Sequence, residues 1–139
     1  MFRLPLAYIA GVRATYLDSE KCMAPLKFRW INQNPFKSMY WAVQGMVAEL
    51  TTGALIIAKI KESDHSISML LVGSRGFFKK RVTTKVTFTC NNGELVDRAI
   101  NAAVKTGEGE TVLLNAIGID DEGNEMSNFS FEWTIKVRS

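Results

Sequence analysis

Between Lys37 and Lys59 the chain carries a single charge, Glu49, in a run whose apolar residues return at helical spacing. Met39, Val43, Met46, Leu50 and Ile57 recur with a period near 3.6, and Ala42, Val47 and Ala54 lie beside them. The spacing predicts a helix over about Met39 to Ile56. The turn Asn32-Gln33-Asn34-Pro35 precedes it, and Ser38 is placed to act as its N-cap. A helix that is apolar all round has to be buried on most sides. The rest of the chain must therefore wrap it.

The flanking segments have the period of strands. Leu4 to Ala10 reads as a short helical lead-in, followed by strands over Val12 to Leu17 and Met23 to Ile31. In the second of these, Ala24, Leu26, Phe28 and Trp30 alternate with Lys27 and Arg29. After the helix come Ile67 to Val72 and Val82 to Cys90. Asn91-Asn92-Gly93-Glu94, with Asn91 and Glu94 at capping-box spacing, opens a second, short helix through Lys105, which Gly107 and Gly109 end. Thr111 to Ile119 and Asn128 to Val137 form a hairpin around Asp120-Asp121-Glu122-Gly123-Asn124. The last strand turns Phe129, Phe131, Trp133, Ile135 and Val137 to one side. The order predicts an α+β fold, an antiparallel sheet wrapped around one long central helix, in a single domain over residues 1–139. One helix cannot protect the edges of such a sheet, so dimerisation by edge pairing is expected.

Composition narrows the function classes. A net charge of +3 is too mild to point to nucleic acid, while allowing a local basic patch for an anionic ligand. Cys22 and Cys90 form no CxxC pair, and with one His there is no zinc spacing, so no metal or cofactor is expected. Both cysteines read as buried small hydrophobes, which fits a reducing, cytoplasmic setting. The apolar stretch Leu4 to Val12 is broken by Pro5 and closed by Arg13, short of a membrane span and unlike a signal peptide.

Three groups of residues carry possible chemistry. Glu49 lies on a stripe of small residues, with Gly45 and Gly53 one turn away and Thr52 at i+3. That leaves room for a ligand or a neighbouring backbone. Equally, such a carboxylate is satisfied by Thr52, by a partner chain, or by water in a groove, because an unpaired buried charge is costly. Arg75-Gly76-Phe77-Phe78-Lys79-Lys80-Arg81 interleaves cations with aromatics, suited to phosphates and an adenine ring or to a solvated loop. His65 sits in the polar stretch after the helix and reads as a surface residue. Trp30, Trp41 and Trp133 read as core. Met23, Met39, Met46 and Met69 fill core or line an acyl tunnel.

The stretch from Asn34 to Gly53 resembles the hotdog-fold thioesterase superfamily. The likeness is to the branch containing the phenylacetate-pathway acyl-CoA thioesterases and their uncharacterised relatives. That branch has an Asn, a His six positions on at the helix start, and an acidic residue nine beyond; here Asn34, Tyr40 and Glu49 stand at those places. Thr106-Gly107-Glu108-Gly109, the acidic Gly turn and Phe129-Ser130-Phe131-Glu132-Trp133 extend the likeness from roughly Gly11 to Lys136. The resemblance implies a hotdog fold and a homodimer, possibly paired into a tetramer. It implies acyl-CoA or another thioester as substrate. Glu49 would act as general base or nucleophile, Asn34 would orient the reactants, and helix N-terminal amides near Tyr40 and Trp41 would polarise the carbonyl. Gly45, Thr52 and Gly53 would border the substrate, and Arg75, Lys79, Lys80 and Arg81 would hold the phosphates of coenzyme A. Two departures matter. Tyr40 replaces the His, and Trp41 stands where the family often has Gly. They leave open a non-catalytic acyl-CoA or acyl-group binding protein, and a purely structural dimer. The absence of a His near Asn34 disfavours the dehydratase chemistry found on the same fold.

Overall fold

The computed structural model describes residues 14–29 and 32–138. The expected lead-in helix over Leu4 to Ala10 lies outside them, as do the start of the first expected strand, Trp30 and Ile31. The elements are β1 (Tyr16–Leu17), β2 (Cys22–Leu26), α1 (Trp41–Glu62), β3 (Ile67–Phe78), β4 (Val86–Cys90), α2 (Gly93–Thr106), β5 (Glu110–Asp120) and β6 (Glu125–Val137). One six-stranded sheet has the order β1-β2-β4-β5-β6-β3, and every neighbouring pair is antiparallel. The α1 helix packs against four of its strands.

The helix starts later and runs further than its apolar period suggests. Tyr40 is extended at the N-cap and gives no side-chain cap. Ser38 is not the cap, because its hydroxyl is engaged with Asn34 instead. Beyond Ile56 the helix continues to Glu62, with Lys59 and Lys61 in a last turn whose partial negative charge favours cations. Val47, Ala48, Leu55 and Ile56 are fully buried, facing a core that includes Leu26, Val86, Phe88, Leu114 and Ile135. Each large aliphatic or Phe side chain buried this way contributes about 1.5–3 kcal/mol. The helix has the length and hydropathy of a membrane span. In this fold its buried face packs on the sheet and α2, while Trp41 and Ile57 stay exposed.

The sheet curves around α1 with the help of two irregularities, between Leu71 and Gly73 in β3 and between Gly118 and Ile119 in β5. Such bulges increase local twist. At Gly118 the ring of Phe88 lies 2.7 Å from where a Cβ would stand, so a side chain there would displace the core. The second helix is amphipathic and turns Val96, Ala99, Ile100 and Ala103 inward. It is tied to α1 by Lys59 Nζ, which reaches Asp97 at 3.0 Å.

Several boundaries differ from the sequence reading. The second strand stops at Leu26. The third continues through Phe78, so Arg75, Phe77 and Phe78 are strand residues paired with β6. The fourth begins only at Val86. The second helix is not opened by Asn91 and Glu94: Asn92 is its N-cap, and the Asn92 Oδ1 accepts from the Asn115 backbone N–H rather than from its own helix. Cys22 and Cys90 face each other across β2 and β4, fully buried and free, and burial pushes both thiols up to about 11. They are core residues, as their composition suggested.

Candidate functional site

The approach to α1 is a tight, self-bonded loop. Asn34 Oδ1 accepts from the backbone N–H groups of Phe36 and Ser38 at 2.9 and 3.2 Å, and Asn34 Nδ2 donates to Ser38 Oγ at 3.0 Å. Short polar side chains that bond to backbone a few residues on stabilise such turns. The loop is then fastened at two points. The Tyr40 N–H donates to the Asn32 carbonyl at 2.8 Å, and the Met39 N–H donates to the Val82 carbonyl at 2.7 Å. The second bond draws the basic segment after β3 against the helix N-terminus. The N–H groups of Lys79 and Lys80 both donate to the Met126 carbonyl, which holds the start of that segment on β6.

Between the two lies a cavity of about 380 Å³. Asn34, Trp41 and Gln44 line it from the helix side, and Lys79, Lys80 and Arg81 from the other. Lys79 is paired with Glu125, and this pairing holds the Glu125 carboxyl below its ordinary range. Lys80 and Arg81 have no carboxylate in ion-pair contact among the described residues. Arg81 lies over the Phe36 ring, 6.0 Å from its centroid. The positive end of α1 adds to these charges, so the cavity favours an anion.

Glu49 lies two turns further along α1, half-buried and outside the cavity. Burial pushes its carboxyl above the usual range, because no charge or hydrogen bond compensates the lost solvation. The stripe beside it faces β6. The Phe129 ring lies 3.7 Å from a Cβ at Gly45, and the Trp133 ring 3.5 Å from one at Gly53. Thr52 is fully buried; its hydroxyl accepts from Trp133 Nε1 at 3.0 Å and donates to the Glu49 carbonyl at 2.9 Å. The room expected at Gly45 and Gly53 is thus bounded by rings of β6 and is about a methyl group deep.

Residues 1–135 match the family described as Domain of unknown function (DUF4442). The chain belongs to the DUF4442 family. No protein of curated function matches it. Among solved structures it is similar to a protein of unknown function from Pseudomonas aeruginosa described as a "Probable Thioesterase". That likeness has a TM-score of 0.86 at 16% identity and covers 98% of this chain and 89% of that one. A protein of unknown function from Chlorobaculum tepidum gives a TM-score of 0.85 at 13% identity, over 99% and 89% of the two chains. A mutant thioesterase from Pseudomonas aeruginosa gives 0.71 at 13% identity, over 96% and 86%. These likenesses establish the hotdog fold for this DUF4442 member.

Of the residues singled out from the sequence, the fold gathers Asn34, Trp41, Lys79, Lys80 and Arg81 around one cavity. It sets Gly45, Thr52 and Gly53 apart against β6, with Glu49 half-buried beside them. Tyr40 is the exposed N-cap. Arg75 is on β3 against Phe77, away from the cavity. Gln44 was not singled out, although it is the one polar side chain between Trp41 and Ala48. It is buried and takes a 2.8 Å hydrogen bond from Ser127 Oγ. A polar residue in an otherwise apolar helical turn was the available signal. Its partner lies 83 positions away and could not be read from spacing.

Proposed function

We propose that the protein hydrolyses acyl-CoA or a similar thioester, working as a homodimer. The observation that carries this reading is the cavity that joins the N-terminus of α1 to the cations Lys80 and Arg81. Helix amides and a small cluster of cations suit, respectively, a thioester carbonyl that gains negative charge and the phosphates of coenzyme A. Glu49 is the carboxylate in this reading. Its raised pKa makes it a better base, one that takes a proton from water as the water adds to the thioester carbonyl. The carbonyl oxygen is stabilised by first-turn amides of α1 from Trp41 on, because the Tyr40 N–H already donates to the Asn32 carbonyl, and the thiol leaves with the proton that Glu49 took. Asn34 keeps one amide hydrogen beyond its loop bonds to orient the reactants.

Within one chain Glu49 and the cavity are separate, so the reading draws on a second copy. The β3 strand is one of the two edges of the sheet, twelve residues long against two for β1, with Leu70, Val72, Phe77 and Phe78 exposed. Such an edge invites pairing with its own copy, which would bring elements of two chains together; dimers could pair further into tetramers. The free state of Cys22 and Cys90 supports a cytoplasmic setting.

One observation favours a second reading, a non-catalytic acyl-CoA binding protein. Trp41 is 59% exposed and borders the cavity at the helix end where a reacting carbonyl would approach. A hydrolysis screen over short, long and aromatic acyl-CoAs, read by release of free thiol, separates the two. Turnover supports the hydrolase; tight binding without turnover supports the binding protein. Light scattering showing a 15.5 kDa particle at micromolar concentration would contradict the dimer.

A further inference from the structure

Gln44 has no part in the mechanism above, yet it is only 3% exposed and lines the cavity. Its Oε1 accepts from Ser127 Oγ, and Ser127 is fully buried on β6 with no other side-chain hydrogen bond among the described residues. The hydroxyl therefore sets which way the amide points. Were the amide reversed, the Ser127 hydroxyl hydrogen would lose its acceptor. Gln44 Nε2 is left with no partner among the described residues. Every fully buried side-chain nitrogen or oxygen among those residues has a partner, so Nε2 keeps some of the little surface that Gln44 has, and Gln44 lines the cavity. A donor with so little surface takes its acceptor from whatever occupies the cavity, water or a ligand.

The surroundings indicate which acceptor. Met39 and Val82, both buried, flank the inner cavity, while the unpaired cations Lys80 and Arg81 are exposed at its mouth. An anionic group is better placed at the mouth. A neutral carbonyl oxygen fits the inner donor, since an amide N–H matches it without burying a charge. We infer that Gln44 Nε2 donates a hydrogen bond to a carbonyl oxygen on the acyl-pantetheine arm of a bound CoA thioester, with Ser127 as the positioning residue that aims it. The inference rests on the thioester reading and adds a specificity contact to it. Two carbonyls on that arm share the chemistry: that of the thioester and that of the neighbouring pantetheine amide.

The test uses the full chain, hexanoyl-CoA as substrate and S-hexyl-CoA, a thioether without the thioester carbonyl, as binding probe. Gln44→Met removes the donor at similar volume, and Gln44→Glu removes it while keeping an acceptor for Ser127. Both should lower kcat/KM by about tenfold or more, the scale of losing a placed donor. If S-hexyl-CoA binding is unchanged, the contact is to the thioester carbonyl; if its Kd weakens in parallel, the contact is to the pantetheine amide. Ser127→Ala should cost less, and Ser127→Ala combined with Gln44→Met should be no worse than Gln44→Met alone, which a merely structural Ser127 would not produce. Wild-type kcat/KM and Kd in both Gln44 variants would overturn the inference and leave the hydrolase reading standing. A wild-type protein that neither hydrolyses nor binds these CoA compounds would overturn both.

Discussion

Replacing Thr52 by Val tests how α1 is fixed beside Glu49. Valine keeps the shape of threonine but removes the hydroxyl that accepts from Trp133 Nε1 and donates to the Glu49 carbonyl. The carbonyl keeps its helical partner, so little is lost there. The indole N–H is different: Trp133 is 7% exposed, and the Thr52 hydroxyl is its partner. A buried donor left unpaired costs about 1–3 kcal/mol. Thr and Val have similar helix propensities, so that contribution cancels. The expected loss is about 2 kcal/mol, a sizeable part of the roughly 5–15 kcal/mol that holds such a domain. With a urea m-value of about 2 kcal/mol/M, the unfolding midpoint should fall by about 1 M at unchanged slope. Tryptophan fluorescence reports it, at one fixed protein concentration, because association would add to apparent stability. Thr52→Ser keeps the bond, loses a methyl and should cost about 1 kcal/mol. A Val variant as stable as wild type, or a Ser variant less stable than Val, would refute the argument.

Gly118→Ala should destabilise by about 1–3 kcal/mol, because the new Cβ would stand 2.7 Å from the Phe88 ring; an unchanged melting temperature would contradict this. Glu49 also has a stability consequence. Its folded pKa is raised, so the unfolded chain loses that proton first as pH rises, and ionisation works against the fold. Glu49→Gln should therefore be more stable than wild type at pH 7, with the gap closing below about pH 4, as denaturant unfolding at the two pH values would show. Alanine at Arg75, Lys79, Lys80 and Arg81 together should weaken CoA binding and flatten its salt dependence. Most of the effect should come from Lys80 and Arg81, since Lys79 is paired and Arg75 lies off the cavity; equal CoA affinity by calorimetry would return the segment to a solvated surface.

What the sequence made legible was whatever repeats at a local period. The apolar run from Met39 announced α1, and the alternation from Phe129 to Val137 announced β6 and its inward face, which is buried as expected through Ile135. The resemblance carried by Asn34, Tyr40 and Glu49 pointed to the hotdog fold that the chain has. Local rules failed where another partner took over an expected cap. Ser38 serves Asn34 in the preceding turn rather than the helix, and Asn92 serves β5 rather than α2. The extent of β3 was hidden as well, since Arg75 to Phe78 become strand only because β6 runs beside them. At the site, the sequence named the cations and the loop Asn but could not show that β6 bounds the space at Gly45 and Gly53, nor that Ser127 orients Gln44. Those contacts join residues tens of positions apart.

The central claim is that Glu49 serves hydrolysis of a thioester, and Glu49→Gln tests it most directly. The substitution keeps the shape of the side chain and removes its charge. On the thioester that wild type cleaves fastest, the variant should stay folded, still bind an S-alkyl-CoA, and lose turnover by at least roughly two orders of magnitude, the usual share of a placed acid or base. A Glu49→Gln protein that releases free thiol as fast as wild type would contradict the claim.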